Sequence, residues 1–511
     1  MTALLDWQAL IEHGLKGLAK AVMTNGSANA PLVPLLAAPL TAPDPMSTAT
    51  VLVQIPFVWL LIVSSHSIYR RLAGPWAALV GTIVTVSLPG VLSYARLLHF
   101  AVPLTAVLTA ALAALLASRY LTSWRWSLVF GLLMGLALLT RTVALAMVPG
   151  LIVVAVLLAA RRSPARLWIR NLALALAAAA VIAAPWYAAN SSVVTAYLLG
   201  NGYSEGSSFY VPVAPWMMRL AQIVGQDILI PLIVVGIGVV AVALARRLVR
   251  QRGGASATAE AKAVAPIAST AAIAVTLGWY FLALSSSHNG GTAFTLPLAP
   301  LLVALVLYLS CQLSRRQAAT AAAITLAVVA FNVVAAVIPL GYVGVGDILG
   351  AGDVAIMDGR SASDAQIAQA LGTPDATIAD PTSLGQELRK ANCAIAARGS
   401  EGAILLTRPD ALLGGIFYCA AGMYGTQPFM ASTGCAPTDG ACVAAVMAKY
   451  GFPTVVTGDA RSPYPGHLPE ALVLPYLTGY RMVNEIKIAP GDVVHVWAPI
   501  QPSTPTPTPN P

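Results

Sequence analysis

Charged residues are scarce in this chain of 511 residues, where Asp, Glu, Lys and Arg together make up 10%. A soluble domain carries about 25% charged residues and about 45–50% apolar ones, whereas 58% of this chain is hydrophobic. This balance excludes a soluble single-core domain, a basic nucleic-acid-binding domain and a disordered chain. The apolar excess predicts an α-helical polytopic membrane protein, with the lipid bilayer as its first partner.

Several motifs of nucleotide-using and metal-using enzymes are also absent. The chain has no Walker loop, no dinucleotide fingerprint and no HExxH pair. Energy from a cytosolic nucleotide is therefore not indicated, and an already activated, lipid-linked substrate fits that absence. These patterns assign no cofactor and no metal ligand, and they leave a divalent cation as an open alternative.

Ten apolar segments predict transmembrane helices, for which roughly 20 residues cross a bilayer. They are 49–68, 77–95, 98–118, 127–140, 143–160, 171–187, 227–245, 265–284, 298–313 and 319–339. Clusters of Lys and Arg fall in alternate loops, which predicts that those loops are cytoplasmic. The other loops then face outward: 96–97, 141–142, 188–226, 285–297 and everything after 340.

The net charge of +9 divides unevenly between two parts of the chain. Residues 1–344 carry a net charge of +14, and residues 345–511 carry −5. Because most of the basic residues in the first part mark cytoplasmic loops, the positive charge indicates orientation, and no polyanionic partner is expected.

The chain is predicted to have four regions. Residues 1–48 form an amphipathic helix and loop at the outer face, and 49–340 form the membrane domain. Short apolar runs at 354–357, 403–406, 453–456 and 493–497, alternating with helical stretches at 362–371, 381–391 and 440–450, predict an extracytoplasmic α/β domain over 345–500. The tail 501–511 is rich in Pro and Thr and is predicted to be disordered.

Four of the five cysteines, Cys393, Cys419, Cys435 and Cys442, lie in the predicted exported domain. Outside the cytoplasm, four cysteines can form two disulfides with three possible connectivities. Zinc binding is the competing interpretation, but the spacings are not those of a metal site. The short loop between Cys435 and Cys442 is the natural first pair, and the pairing stays open.

Six stretches resemble, in order, motifs of one family of membrane enzymes. They are 29–36 (NAPLVPLL), 69–79, 89–96, 131–141 (GLLMGLALLTR), 184–190 (APWYAAN) and 289–300. This series resembles the GT-C glycosyltransferases of family 39 type, in particular the protein O-mannosyltransferase and aminoarabinose-transferase group. The stretches span about residues 29–340.

The resemblance implies a GT-C-like fold and a specific chemistry. It implies transfer of a sugar from a polyprenyl-phosphate carrier, as lipid-linked co-substrate, to a glycan, lipid or protein acceptor of the cell envelope. The reaction would take place at the outer face of a bacterial inner membrane. We also expect that the chain lacks the first transmembrane helix of its relatives, unless the short stretch 31–40 helps insertion.

Few acids lie on the predicted outer face, and the transfer needs one as a base for the acceptor hydroxyl. The resemblance would place the base near Asp6, with Glu12 as second choice; the alternative is two solvated charges on an amphipathic helix. Tyr203 and Glu205 lie in a Gly-rich outer loop that would contact the acceptor, or they are plain loop residues. Asp227 is better explained as a helix cap.

Two arginines, Arg96 and Arg141, lie at predicted outer turns and outside the basic cytoplasmic loops. A cation at membrane depth is costly and is a functional hypothesis by default, and Arg binds phosphate bidentately. We predict that both bind the carrier phosphate, with snorkelling toward lipid headgroups as the alternative. His99, one turn from Arg96, and His288 are weaker phosphate candidates; a histidine satisfied inside a helix bundle is common.

Two other classes of function stay open. A transporter or lipid flippase would have a similar composition, but such proteins usually show internal repeats and broken helices at the midplane. The third interpretation is a non-catalytic envelope protein whose exported domain binds a partner.

Overall fold

The structure is a computed structural model that describes most of the membrane domain and parts of the C-terminal region. The described residues are 2–24, 30–41, 48–95, 98–204, 212–228, 230–252, 264–290, 293–337, 404–406, 430–432, 454–458, 470–489 and 492–500. The chain forms two compact units. The smaller comprises Met1–Gln8, Thr41–Thr48 and Asp364–Pro511, and the larger comprises Ala9–Leu40 and Ala49–Ser363.

Helices dominate the described part of the chain up to residue 337. They are α1 Thr2–Thr24, α2 Leu32–Ala37, α3 Gln54–Ala73, α4 Pro75–Val86, α5 Pro89–Tyr94, α6 Ala101–Ala117, α7 Trp124–Thr140, α8 Ala144–Arg162, α9 Ala165–Tyr203, α10 Pro215–Gln222, α11 Ile230–Arg252, α12 Val264–Leu284, α13 Ala299–Ser310 and α14 Arg315–Val337. Each of the ten predicted apolar segments coincides with one or two of these helices.

By length and composition, four stretches of the described helices could each cross a bilayer. They are Val51–Ala73, Ala144–Arg162, Ala165–Tyr203 and Arg315–Val333. Six further apolar helices are shorter, from Pro75–Val86 to Leu296–Ser310. The protein is therefore a multi-pass membrane protein, while the count of ten spans stays a prediction.

Helices α7 and α9 approach each other closely because glycines face the contact. A Cβ atom built on Gly131 would lie 2.2 Å from the Ala175 carbonyl oxygen, and one on Gly135 would lie 3.0 Å from that of Ala179. Membrane helices commonly pack through such small residues, since lipid offers no hydrophobic drive for association. This contact holds α7, and with it the turn that follows α7 at Arg141.

Polar side chains inside the helix bundle find partners on neighbouring helices, as a low-dielectric interior requires. The Tyr69 hydroxyl of α3 lies 2.7 Å from Thr85 Oγ1 of α4 and donates to the Pro300 carbonyl of α13 at 2.9 Å. Asn332 of α14 donates to the Ser87 carbonyl at 2.8 Å, just beyond the end of α4. These bonds fix how α3, α4, α13 and α14 sit against one another.

The smaller unit contains a five-stranded mixed sheet. Its strands are β1 Ile404–Leu406, β2 Met430–Ser432, β3 Thr454–Gly458, β4 Tyr480–Ala489 and β5 Asp492–Pro499, in the order β2-β1-β3-β5-β4. Strand β1 runs parallel to β2 and β3, whereas β5 runs antiparallel to β3 and β4. The strands expected near 403–406, 453–456 and 493–497 are thus present, and β2 and β4 were not expected.

A polar network ties the short helix Glu470–Val473 to this sheet. The Glu470 carboxylate accepts from Thr457 at 2.6 Å and lies 2.8 Å from His495 Nδ1. Trp497 Nε1 donates to the Thr457 hydroxyl at 2.8 Å. The run 354–357, the helical stretches 362–371, 381–391 and 440–450, and the tail lie outside the described residues.

Candidate functional site

The ring of Phe294 lies between two arginine side chains in the loop that precedes α13. The Arg141 Cζ atom lies 4.0 Å from the ring centroid, and the Arg219 Cζ atom lies 5.6 Å from it. Both distances fall within the range of cation–π contacts. The ring thus joins the turn after α7 to the short helix α10.

Arg141 ends α7 because its backbone turns extended, with φ −156° and ψ 139°. Its Nη1 atom is buried and has no hydrogen-bond partner among the described residues. Burial lowers the pKa of Arg141 to about 10, so the guanidinium stays charged at neutral pH. A half-buried cation with a buried, unpartnered donor gains most from an anionic ligand that supplies charge and acceptor together.

Arg219, 1% exposed, uses its guanidinium in a different way. It donates to the carbonyls of Leu284 (3.1 Å), Ser287 (3.2 Å) and Asn289 (2.9 Å), and to Gln222 Oε1 (2.8 Å). Burial lowers the pKa of Arg219 to about 10, and the nearby charge of Arg141 adds to the effect. Neither arginine has a carboxylate partner in the described part of the chain.

Residues 284–290 make further hydrogen bonds to α10, through Gln222, and to α9, through Gly202. Gln222 Nε2 donates to the Gly290 carbonyl at 3.1 Å. On the other side, the Ser287 hydroxyl and the His288 backbone N–H both donate to the Gly202 carbonyl at 3.0 Å. We call Arg219, Gln222 and their bonds to residues 284–290 the α10 clamp.

Asp227 anchors the same loop farther along, after a single π-helical turn Ile223–Asp227. Thr295 donates a short hydrogen bond to its Oδ2 atom, and Oδ1 is buried without a partner among the described residues. A Cβ atom on Gly90 would lie 2.9 Å from this Oδ1. The expected helix cap is therefore wrong: Asp227 is the last residue of the π turn, and its carboxylate accepts from Thr295 of the neighbouring loop.

His99 lies beside this cluster and is neutral by its hydrogen bonding. Its Nδ1 atom accepts the Ala101 backbone N–H at 3.1 Å, so the ring proton is on Nε2. The imidazole stacks on Tyr94 at 4.7 Å between centroids, and Gln54 donates to the His99 carbonyl at 2.8 Å. His99 can thus donate one hydrogen bond from Nε2, and it lies within electrostatic reach of Arg141.

The predicted base lies in the smaller unit. Asp6 is buried, and desolvation raises the pKa of its carboxyl to about 6. Glu12 lies on α1 beyond it. Tyr203, at the end of α9, is 55% exposed, with its hydroxyl 3.4 Å from Ser286 Oγ.

Some predicted residues lie outside the described part of the chain. These are Arg96, Glu205, Cys393, Cys419, Cys435 and Cys442. Their roles, the two disulfides included, stay predictions. Among the described residues, no three His, Cys, Asp or Glu side chains group as metal ligands.

Three members of the cluster, Arg219, Phe294 and Thr295, are absent from the sequence-based site. Arg219 had a detectable signal, because it lies in the predicted outer loop 188–226, away from the basic cytoplasmic loops. Phe294 and Thr295 lie in the motif-like stretch 289–300, but nothing in the sequence singles them out there, since their contacts depend on which side chains the fold brings to them.

The fold is shared with two crystal structures of ArnT from Cupriavidus metallidurans. The apo form matches at a TM-score of 0.56, and the form bound to undecaprenyl phosphate at 0.54. In both, the identity is 14%, and the match covers 97% of this chain and 92% of that chain. No protein-family model and no curated protein matches the chain. The likeness shows that this chain has an ArnT-like fold, and at 14% identity it shows the fold alone.

Proposed function

We propose that the protein is a membrane glycosyltransferase that moves a sugar from a polyprenyl-phosphate carrier to a cell-envelope acceptor. The acceptor is a glycan, a lipid or a protein, and transfer takes place at the outer face of the bacterial inner membrane. One observation carries the proposal: Arg141 is half-buried, and its buried Nη1 donor has no hydrogen-bond partner among the described residues. A protein of the same fold binds undecaprenyl phosphate.

Arg141 would bind the carrier phosphate and stabilise it as leaving group. When the bond from the sugar C1 to the phosphate oxygen breaks, its electron pair stays on the phosphate, and negative charge grows there. A positioned cation in a low-dielectric site stabilises that charge more than water does. His99, which has an Nε2–H donor, and Arg96 and His288 are further phosphate candidates.

The α10 clamp would act on this site indirectly. Arg219 has four of its five N–H groups in hydrogen bonds to the protein. It is therefore a positioning residue: it holds residues 284–290, and the Phe294 ring beyond them lies against Arg141.

Asp6 would take the acceptor proton, with Glu12 as the second candidate. With a pKa of about 6, Asp6 is mostly ionised at pH 7 and can accept a proton from a hydroxyl group. The acceptor oxygen then forms the new bond to the sugar C1 as the phosphate leaves. Tyr203 and Glu205 would contact the acceptor from the loop after α9.

The test is transfer by the full chain in liposomes, with labelled polyprenyl-phosphate sugars and an envelope fraction as acceptor. We expect label to move from lipid to acceptor. Asp6→Asn should abolish turnover and leave donor binding intact. The matched control is Arg161→Ala, in the last turn of α8 and therefore at the end of that helix away from Arg141; it should behave as wild type.

Two outcomes would count against the proposal. Label that crosses the bilayer without transfer would indicate a flippase. No transfer from any donor would refute the enzyme. A fully active Asp6→Asn protein would refute Asp6 alone and would move the base role to Glu12.

A further inference from the structure

A large apolar groove lies in the membrane domain, apart from the Arg141 site. Its volume is about 1400 Å³, and it is lined by side chains of α4, α11, α12, α13 and α14. Two glycines of the lining face open space: a Cβ atom on Gly236 would meet its nearest neighbour at 3.5 Å, and one on Gly278 would meet nothing within 4 Å. Space of this size beside lipid-facing helices is filled by hydrocarbon in a membrane.

The two ends of the groove differ in chemistry. One end is lined by Leu88, Ile223 and Ile228, which carry no polar side-chain group. The other end, here called the basic end, is lined by Ser310, Cys311 and Arg315. Arg315 is the charged residue of the lining, and it is exposed at the start of α14.

The surroundings of the basic end are cationic as well. Arg316 follows Arg315, and Arg246 of α11 donates to the Gln312 carbonyl at 3.2 Å, in the turn before α14. No Asp or Glu occurs in 311–317 or in 240–252. Trp76, 80% exposed, also lines this end, as expected of an aromatic side chain at the membrane interface.

The groove runs along the full length of α4, whose 12 residues extend about 18 Å at the helical rise of 1.5 Å per residue. Its apolar end includes Leu220 and Ile223, from the region around the loop predicted to face outward. Half of a hydrocarbon core of about 30 Å is about 15 Å. An acyl chain of about this length that starts at the basic end would therefore occupy the part of the groove nearest Arg315.

We propose that this groove binds a glycerophospholipid with an anionic headgroup, taken from the leaflet on the predicted cytoplasmic side. Its acyl chains occupy the groove, and its phosphate lies against Arg315. The apolar end of the groove has no cationic side chain in its lining to bind a phosphate. The headgroup therefore lies at Arg315. The basic end contains none of the residues proposed to bind the donor phosphate, and this proposal does not depend on the glycosyltransferase function.

The experiment measures lipid retained by the full-length protein. The chain is purified in mild detergent, stripped of lipid, and titrated with phosphatidylglycerol or phosphatidylcholine while native mass spectrometry counts bound lipid. We expect one phosphatidylglycerol to bind at least tenfold more tightly than phosphatidylcholine. Arg315→Glu should remove that preference, and Gly278→Leu should remove binding of both lipids by filling the groove.

Two variants serve as matched controls. Arg161→Glu reverses a charge at the same membrane side outside the groove, and Gly238→Leu adds the same side chain at an open position of α11 that does not line it. Both should bind phosphatidylglycerol as wild type. Equal loss in Arg315→Glu and Arg161→Glu, no headgroup preference in the wild type, copurified polyprenyl phosphate at this site, or a dimer with the groove covered would each overturn the proposal.

Discussion

The turn after α7 and the α10 clamp each place one arginine beside the ring of Phe294. The two guanidinium groups nevertheless differ in how their N–H donors are used. Arg141 has a buried Nη1 without a partner among the described residues. Arg219 bonds three backbone carbonyls and one side-chain amide. A guanidinium whose donors are used holds protein structure, whereas one with an unused donor in a low-dielectric place is suited to bind an anion.

The largest expected effect comes from removing the cation with the free donor. Arg141→Ala should weaken binding of polyprenyl phosphate about 100-fold, since a charge-assisted hydrogen bond contributes about 1.5–3 kcal/mol. The melting temperature should fall only slightly, because Nη1 bonds no described protein group and the loss is the cation–π contact with Phe294. Titration with undecaprenyl phosphate in detergent measures the affinity, and thermal unfolding measures the melting temperature. Unchanged affinity would mean that the free donor has no ligand.

The α10 clamp should respond in the opposite pattern. Arg219→Lys keeps the charge but cannot reach three carbonyls and an amide with one ammonium group. We expect a lower melting temperature and about tenfold weaker donor binding, because each lost buried hydrogen bond costs about 1 kcal/mol. Arg246→Lys, which gives up one bond to the Gln312 carbonyl, is the control. If only stability falls, the clamp does not position the site.

A pH profile separates the base from both arginines. Between pH 5 and pH 7 the arginines stay protonated, because their pKa values are about 10. Asp6, with a pKa of about 6, goes from about one-tenth to nine-tenths ionised, so turnover should rise about tenfold. Donor affinity should change much less over the same range. A flat rate profile would remove Asp6 as base.

The smallest effect on donor binding is expected from substitutions at the α7–α9 contact, which act mainly on stability. Gly131→Ala puts a Cβ atom 2.2 Å from the Ala175 carbonyl oxygen, and overpacking of this kind costs about 1–3 kcal/mol. Gly238→Ala, at an open helical position, should stabilise by about 0.5–1 kcal/mol. Thermal unfolding of the two variants should therefore shift in opposite directions; shifts of the same sign would contradict the close α7–α9 contact.

The helices could be predicted because long apolar runs admit few other structures in a membrane. Each predicted segment coincides with a helix, and the three strand runs that the structure describes match β1, β3 and β5. The short strand β2 and the long β4 escaped prediction because neither shows a continuous apolar run. Pairing with β5 stabilises β4 as a strand, and such pairing between distant segments cannot be inferred from the composition of β4 alone.

The site was predicted only in part, for a physical reason. Arg141 was identified because a cation at membrane depth is unusual at any position in the sequence, and His99 because it lies one turn from Arg96. Phe294 and Thr295 are ordinary residues that matter through Arg141, Arg219 and Asp227, which lie far away along the chain. The cap expected at Asp227 assumed a regular helix start, whereas Asp227 is the last residue of a π turn and its carboxylate accepts from Thr295.

The most direct test of the central claim is a double-mutant cycle on donor affinity. Undecaprenyl phosphate is titrated against wild type, Arg141→Ala, Arg219→Lys and the double variant. If Arg219 acts through Arg141, the double variant should bind no more weakly than Arg141→Ala alone, because the positioned donor is already gone. Losses that add, or a wild type that does not bind the lipid, would contradict the account.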